Sequence, residues 1–428
     1  MSTSPRPKRS RHLQASDARA LSQLAVQAGT GLTRVVEGVH QSVWDRLGVA
    51  GPAKGRTGGV TGLVYRSLYG AAEMLGRGLD RALAGLEPWL AKSLSDELGR
   101  QHLPTPEREA VLAALNGILG DHLLASDNPL ASGMSLRWQG QVLQGGRWPS
   151  AQQVGPRILL LVHGLCMNER AWMGDEAPGH IDSPGGSEIK HGGHVPALCA
   201  AGGLNPVYLR YNSGLHISQN GHRLAAALEQ LLGGWPRPVE EIRVLAHSMG
   251  GLLIRSAVHS AQTQGMDWPA RLSRIVFLGT PHHGAPLERA GHGLDQLLGS
   301  SSFTAPLAKL GQLRSAGITD LRHGNVLDAD WQGHDRFDPR PDQRQPLPLP
   351  AGVDCYAIAA TTAGRRGSLS ERLLGDGLVT VDSALGQHED AARHLHFPAA
   401  RRWLAYKTNH MALLDSPRVT EQLLKWLA

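Results

Sequence analysis

The spacing of apolar residues along this chain changes near residue 128. Before that point they recur at steps of three and four, which predicts amphipathic helices over 17–47, 60–90 and 106–122. After it, short apolar runs alternate with helical stretches, a pattern typical of a doubly wound, mostly parallel sheet with helices on both faces. The chain is therefore predicted to hold a helical region over 17–127 and an α/β domain over 128–428.

The same pattern predicts the individual elements of the α/β part. Strands are expected over the apolar runs 134–143, 157–162, 206–210, 242–246, 274–278, 354–360 and 403–407. Helices are expected over 220–232, 249–263 and 417–427. Loops are expected at 174–193, which is rich in Gly, His and charge, and at 333–352, which holds five prolines. The segment 286–335 contains short apolar helical stretches between two core strands, which predicts a cap or lid.

Charge and composition exclude several classes of protein. The formal net charge is +6, but the first twelve residues hold four basic side chains and no acid, so 1–16 is predicted to be a disordered basic tail. No basic stripe interleaved with aromatic residues occurs, so nucleic acid is not an expected partner. Neither a membrane span nor a secretory signal is expected, because no apolar run has the required length and position. The expected compartment is the cytoplasm.

The helix over 60–90 bears on the expected partners, and the cysteines and the loop 180–194 bear on expected metal sites. The helix over 60–90 is expected to pack within the protein or in a homo-oligomer, and peripheral contact with a membrane is the alternative. Cys166, Cys199 and Cys355 are far apart, so neither a disulfide framework nor a zinc site is expected. No metal is expected in the loop 180–194 either, because its candidate ligands do not lie on rigid elements. Those candidates are His180, Asp182, Glu188, His191 and His194.

The strongest chemical signal is the hexapeptide Ala-His-Ser248-Met-Gly-Gly. It follows a predicted apolar strand and opens a predicted helix. A serine at such a sharp turn presents its hydroxyl above the sheet edge, and small neighbours are needed because strand and helix crowd there. Ser248 is therefore the predicted nucleophile, at a nucleophile elbow.

An acyl-transfer site also needs donors for the developing oxyanion. One backbone N–H is expected from Met249, at the N-terminal end of the helix that follows the nucleophile. The other is expected from Leu165, in His-Gly164-Leu after the strand that ends at residue 162. An ordinary glycine turn at the strand end is the alternative for this second segment.

The serine requires a base, and the base requires a carboxylate that fixes its tautomer. His410 lies between the last predicted strand and the last predicted helix, and Asp376 follows the strand before it. Asp382 is the alternative acid. The alternative bases, which precede the last strand, are His388, His394 and His396.

These motifs together resemble a known family. Ala-His-Ser248-Met-Gly-Gly, Val-His-Gly164-Leu, Leu-Gly-Thr280-Pro-His-His-Gly, Gly-Asp376-Gly-Leu-Val and Asn-His410 look like the α/β-hydrolase lipases and esterases. They are most similar to the bacterial branch that resembles GPI inositol-deacylase and triacylglycerol lipases, over roughly 134–428. The resemblance implies an α/β-hydrolase fold and serine-dependent hydrolysis of a carboxylic ester, with Ser248, Asp376 and His410 as the triad.

Residues beside these motifs are expected to contact substrate. They are His163, Gly164, Tyr211, His247, Thr280 and His282. Tyr211 opens the segment Tyr-Asn-Ser-Gly, which is also similar to that branch. For the loop 279–284 the alternative is a tight turn fixed by Pro281 and Gly284, with His282 as pocket wall.

The expected function is hydrolysis of lipid-like or acyl esters through an acyl-enzyme intermediate, without a cofactor. The same triad is compatible with an acyltransferase, an amidase or a thioesterase, because pocket shape and water access decide among them. A different alternative is a non-catalytic lipid-binding or scaffold protein that works through its N-terminal helices.

Overall fold

The computed structural model describes residues 106–173, 193–285, 315–334, 342–364 and 375–428. The predicted basic tail, the helices over 17–47 and 60–90, most of the loop 174–193 and the cap segment up to residue 314 lie outside the described residues. The chain divides into two units, one of residues 1–108 and 125–130 and the other of residues 109–124 and 131–428. The second unit contains the sheet.

Eight strands form one sheet. In chain order they are β1 (Ser135–Trp138), β2 (Gln141–Val142), β3 (Arg157–Val162), β4 (Asn205–Arg210), β5 (Glu241–His247), β6 (Leu272–Leu278), β7 (Asp354–Thr361) and β8 (Arg402–Tyr406). Their order across the sheet is β2-β1-β4-β3-β5-β6-β7-β8, with β1 antiparallel to both its neighbours and all other pairs parallel. The predicted fold class, a mostly parallel α/β-hydrolase sheet covered by helices, is confirmed.

Most of the described helices follow a strand in the chain. The helices are α1 (Pro106–Ala125), α2 (Val195–Gly202), α3 (Ile217–Gly234), α4 (Met249–Gln264), α5 (Ala316–His323), the short α6 (Val381–Ala384) and α7 (Pro417–Leu427). The helices predicted over 220–232, 249–263 and 417–427 correspond to α3, α4 and α7, and their predicted ends differ from the observed ends by at most three residues. No helix was predicted at α2 or α5.

Two apolar cores form because successive side chains of a strand point to opposite faces. In β3, Ile158, Leu160 and Val162 belong to the core under α3 and α4. Leu159 and Leu161 belong to the core on the other face, together with residues of α2 and α7. A strand buried on both faces must be apolar throughout, which is why β3 reads as a continuous apolar run.

One predicted strand is wrong in detail. Residues 134–143 were expected to form a single strand, but β1 and β2 form a hairpin. The chain turns at Gln139 and Gly140, which both have positive φ, 46° and 78°. Two such residues suit a two-residue hairpin turn, and the residues on each side still alternate like one longer strand.

The described loops and helix α1 refine the predicted organisation. Residues 342–352 contain no helix or strand, as the proline-rich loop prediction requires. Residues 109–124 of α1 lie in the same unit as the sheet, although the helix was predicted to belong to the N-terminal region. Among the described residues, no helix is both long and apolar enough to cross a membrane.

Candidate active site

Ser248 occupies a sharp turn between β5 and α4. Its φ and ψ are 54° and −125°, a conformation that non-glycine residues rarely adopt. Its backbone N–H donates to the Leu278 carbonyl at 2.8 Å, which ties the turn to the end of β6. A strained backbone at this position lifts the side chain out of the strand direction, as a nucleophile elbow requires.

Close packing explains the two glycines after Met249. A Cβ on Gly250 would lie 2.6 Å from the Val162 carbonyl oxygen, and one on Gly251 would collide with the Thr280 side chain. Helix α4 therefore approaches β3 and the loop after β6 closely enough to exclude any side chain at these positions.

His410 and Asp376 form a buried pair. His410 Nδ1 lies 2.7 Å from Asp376 Oδ2, and both side chains are almost fully buried. The other carboxylate oxygen, Oδ1, accepts from the amides of Leu378 and Val379 at 2.9 and 2.8 Å. The His410 amide also donates to the Asp376 carbonyl at 3.1 Å. Both partners are thus fixed before any substrate arrives.

The pair lies beside the serine turn. His247, the neighbour of Ser248, has its Nε2 3.1 Å from the His410 carbonyl oxygen. A Cβ on Gly279, which follows β6, would lie 3.2 Å from both Asp376 Oδ2 and His410 Cε1. His410 Nε2 is buried and, among the described residues, has no hydrogen-bond partner. A ring nitrogen in that condition is suited to accept a proton from a reacting group.

The alternative acid and bases lie elsewhere. Asp382 is exposed, in the first turn of α6. His388 Nε2 lies 3.5 Å from Asp342, and the His394 ring lies tilted against the His396 ring with centroids 4.8 Å apart. Asp376 is the carboxylate that the structure brings to His410.

The predicted oxyanion donors lie on either side of Ser248. Met249 is the first residue of α4, and the first amides of a helix have no acceptor within it. Leu165 lies in the loop after β3, which approaches the serine so closely that a Cβ on Gly164 would be 3.0 Å from Ser248 Cβ. The loop that holds Leu165 and the first residue of α4 therefore both lie next to Ser248.

Two residues expected to contact substrate, His163 and Tyr211, pack together at the start of this loop. The rings of His163 and Tyr211 stack with centroids 4.3 Å apart, and the Tyr211 hydroxyl donates to the His163 carbonyl at 2.9 Å. Burial lowers the pKa of His163 to about 4, so its ring is neutral at pH 7. The two side chains thus pack beneath the start of the loop after β3 and stabilise it.

The remaining candidate contacts are also internal. Thr280 is fully buried against Gly251. His282 packs edge-on against Phe277, with ring centroids 4.8 Å apart, and its Nδ1 lies 3.4 Å from Arg255 Nη1. Burial lowers the pKa of both His247 and His282 well below the ordinary value. Both rings are therefore neutral at pH 7 and enclosed in the protein.

The metal candidates receive no support from the one member that is described. His194 uses both ring nitrogens within the protein, on Thr420 Oγ1 at 2.7 Å and on the Leu413 carbonyl at 2.8 Å. Its partners in the loop, 180–191, lie outside the described residues. Within the part of the chain that the structure describes, no group of three His, Cys, Asp or Glu side chains could hold a metal ion.

We expect the buried histidines to make the fold acid-sensitive. Burial lowers the pKa of His163 to about 4 and that of His283 to about 4, from an ordinary 6.5. Between those values the unfolded chain binds protons that the folded chain does not, so the free energy of unfolding decreases as the pH falls. The melting temperature should drop steadily from about pH 7 to about pH 4.5, and less steeply in His283→Gln. A melting temperature that rises as the pH falls would contradict this.

Comparison with known proteins finds one family model that matches part of the chain. Residues 221–345 match the family of PGAP1-like α/β domains. No curated protein sequence matches the chain. The match covers less than a third of the chain and agrees with the resemblance that the motifs indicated. The strand order of the sheet is that of an α/β-hydrolase fold.

Solved structures give weaker likenesses. The mature lipase BlEst2 of Bacillus licheniformis is 20% identical, with 65% of this chain and 96% of that chain covered and a TM-score of 0.40. Lipase B of Aspergillus fumigatus is 12% identical, with 96% and 84% covered and a TM-score of 0.38. An esterase of Pyrococcus furiosus is 14% identical, with 64% and 83% covered and a TM-score of 0.35. The sheet order, rather than these neighbours, defines the fold.

Proposed function

We propose that the chain is a serine hydrolase that cleaves carboxylic esters through Ser248, His410 and Asp376. The observation that carries the proposal is the buried 2.7 Å contact between His410 Nδ1 and Asp376 Oδ2. The contact lies beside a serine at positive φ, and the free His410 Nε2 is available to it. A serine, a base and an orienting acid in this relation are the parts that acyl transfer requires.

The reaction follows from these positions. Ser248 Oγ attacks the acyl carbonyl while His410 Nε2 accepts its proton, and Asp376 stabilises the imidazolium by accepting from Nδ1–H. The N–H groups of Leu165 and Met249 donate to the oxyanion. His410 then donates the proton to the leaving alcohol. Water then attacks the acyl-serine while His410 accepts its proton, and His410 returns that proton to Ser248 Oγ as the carboxylic acid leaves.

An apolar acyl group is the substrate part that fits the surroundings. Leu165, Met249 and Leu413 are buried around the serine and the Asp–His pair, and Leu413 Cδ1 would lie 2.8 Å from a Cβ on Gly279. Water-excluding side chains of this kind favour an acyl chain over a charged group. We therefore propose lipid-like esters as substrates.

The test is hydrolysis of p-nitrophenyl esters whose acyl chains range from acetyl to palmitoyl. We expect turnover that peaks at a definite chain length, because an apolar pocket of fixed depth discriminates by methylene count. A thioester, an anilide and an added alcohol acceptor, assayed in parallel, distinguish the thioesterase, amidase and acyltransferase alternatives. A folded chain that hydrolyses none of the esters would contradict the proposal. The lipid-binding or scaffold alternative depends on helices outside the described residues and stays a prediction.

A further inference from the structure

Helix α1 contacts three loops, one of which, the loop after β3, packs against the proposed catalytic serine. Asn212, in the loop after β4, donates from Nδ2 to the Gly120 carbonyl at 2.9 Å. Asn168, in the loop after β3, donates from Nδ2 to the Glu109 carbonyl at 3.1 Å. Ser315, before α5, donates from Oγ to the Gly117 carbonyl at 2.6 Å. Residues of one helix thus bind three separate loops.

The closest approach is between Gly117 and Cys166. A Cβ on Gly117 would lie 2.9 Å from both the Cα and the backbone N of Cys166, and it would collide with the thiol. Glycine inside a helix is less favourable than alanine, and the close contact explains why glycine lies at this position. The helix backbone and the loop backbone are in direct contact at this point.

Cys166 has an unusual backbone conformation that these contacts hold in place. Its φ is +60°, in the left-handed region that non-glycine residues rarely adopt. Its N–H donates to Ser213 Oγ at 3.1 Å, and its thiol contacts the Ala114 carbonyl at 3.8 Å. Burial raises the pKa of the thiol to about 12, which makes it an inert packing group at neutral pH.

Cys166 directly follows Leu165, whose N–H is the proposed oxyanion donor. We propose that α1 is a positioning element for the oxyanion hole, acting through the contact of Gly117 with Cys166. The helix and Ser213 fix the turn at Cys166, and the turn aims the Leu165 N–H at the carbonyl oxygen of the group attached to Ser248. This inference rests on the proposed ester hydrolysis, and it assigns a role in that reaction to a helix that precedes the α/β sheet in the chain.

The test is Gly117→Ala in the full chain. The added methyl group displaces the Cys166 backbone, so kcat for a p-nitrophenyl ester should fall about tenfold to a hundredfold while KM changes less than about threefold. The inhibition constant of an alkyl boronic acid, which forms a tetrahedral adduct on the serine, should rise by a similar factor. Gly233→Ala is the matched control, because a Cβ there meets nothing within 4 Å.

The inhibition constant of the boronic acid distinguishes a displaced oxyanion donor from incomplete folding of the variant. A variant that merely folds less completely would lose apparent kcat while its inhibition constant stays that of the wild type, and that result would overturn the inference. The double variant Gly117→Ala/Cys166→Ala removes the colliding thiol and should recover part of the lost kcat. If Gly117→Ala does not fold, Ser213→Ala decides, because it removes the acceptor of the Cys166 N–H and should give a smaller shift of both constants.

The outcomes distinguish this inference from the proposed function. Wild-type hydrolysis with unchanged constants in Gly117→Ala or Ser213→Ala would overturn the positioning role alone. A wild-type chain that neither hydrolyses esters nor binds the boronic acid would overturn both.

Discussion

Replacing Ser248 by alanine is expected to lower kcat for ester hydrolysis by at least about 10³-fold, because the nucleophile is removed while the oxyanion donors and the fold remain. Alanine at φ 54° carries the same backbone strain as serine, so the melting temperature should change little. The measurement is initial rate against concentration for a p-nitrophenyl ester, with thermal denaturation of the same preparation.

The matched control is an exposed serine far from the site in the fold. Ser150 lies in the exposed loop before β3, and Ser150→Ala should retain the wild-type rate. Comparable turnover in Ser248→Ala would show that another group attacks the ester, or that contaminating enzyme supplies the activity.

Asp376→Asn is expected to have the second large effect, a loss of about 10³- to 10⁴-fold in kcat. The amides of Leu378 and Val379 donate to Oδ1, so the amide oxygen of an asparagine would face them. Its NH₂ group would then face His410 Nδ1 and would require that nitrogen to be an acceptor. The ring proton would move to Nε2, which could no longer accept the proton of Ser248.

Asp382→Asn is the control for that variant. Asp382 is exposed and is the other carboxylate that the sequence offered as the acid. We expect the rate of Asp382→Asn to stay within about threefold of wild type, since surface substitutions away from the site have small effects. The opposite pattern, with activity lost in Asp382→Asn and retained in Asp376→Asn, would reverse the assignment.

The sequence predicts the parts of this protein that depend on local order. The strand before Ser248 and the helix after it leave a clear pattern, since an apolar run meets a small-residue turn. Chain order and position after the last two strands selected Asp376 and His410, with Asp382 as the alternative acid, and the structure brings the side chains of Asp376 and His410 into contact. Because the carboxyl ends of parallel strands lie at one edge of a sheet, residues that follow successive strands must meet there.

Features that depend on distant contacts could not be predicted in the same way. Helix α2 has eight residues and is fixed by packing on the face that it shares with α7, and His194 links it to Thr420, 226 residues away. Nothing in its composition separates it from a loop. Helix α1 was visible as a helix, but its contact with Cys166 joins segments almost 50 residues apart. Gly117 and Gly120 were the local signs, as glycines inside a helical pattern.

The most direct test of the central claim is labelling with a fluorophosphonate followed by mass spectrometry of the digested chain. We predict one phosphonyl group on the peptide that contains Ser248, loss of ester hydrolysis in proportion to labelling, and no adduct in Ser248→Ala. A label on a different residue, or full hydrolysis by a chain whose Ser248 is completely modified, would contradict the account.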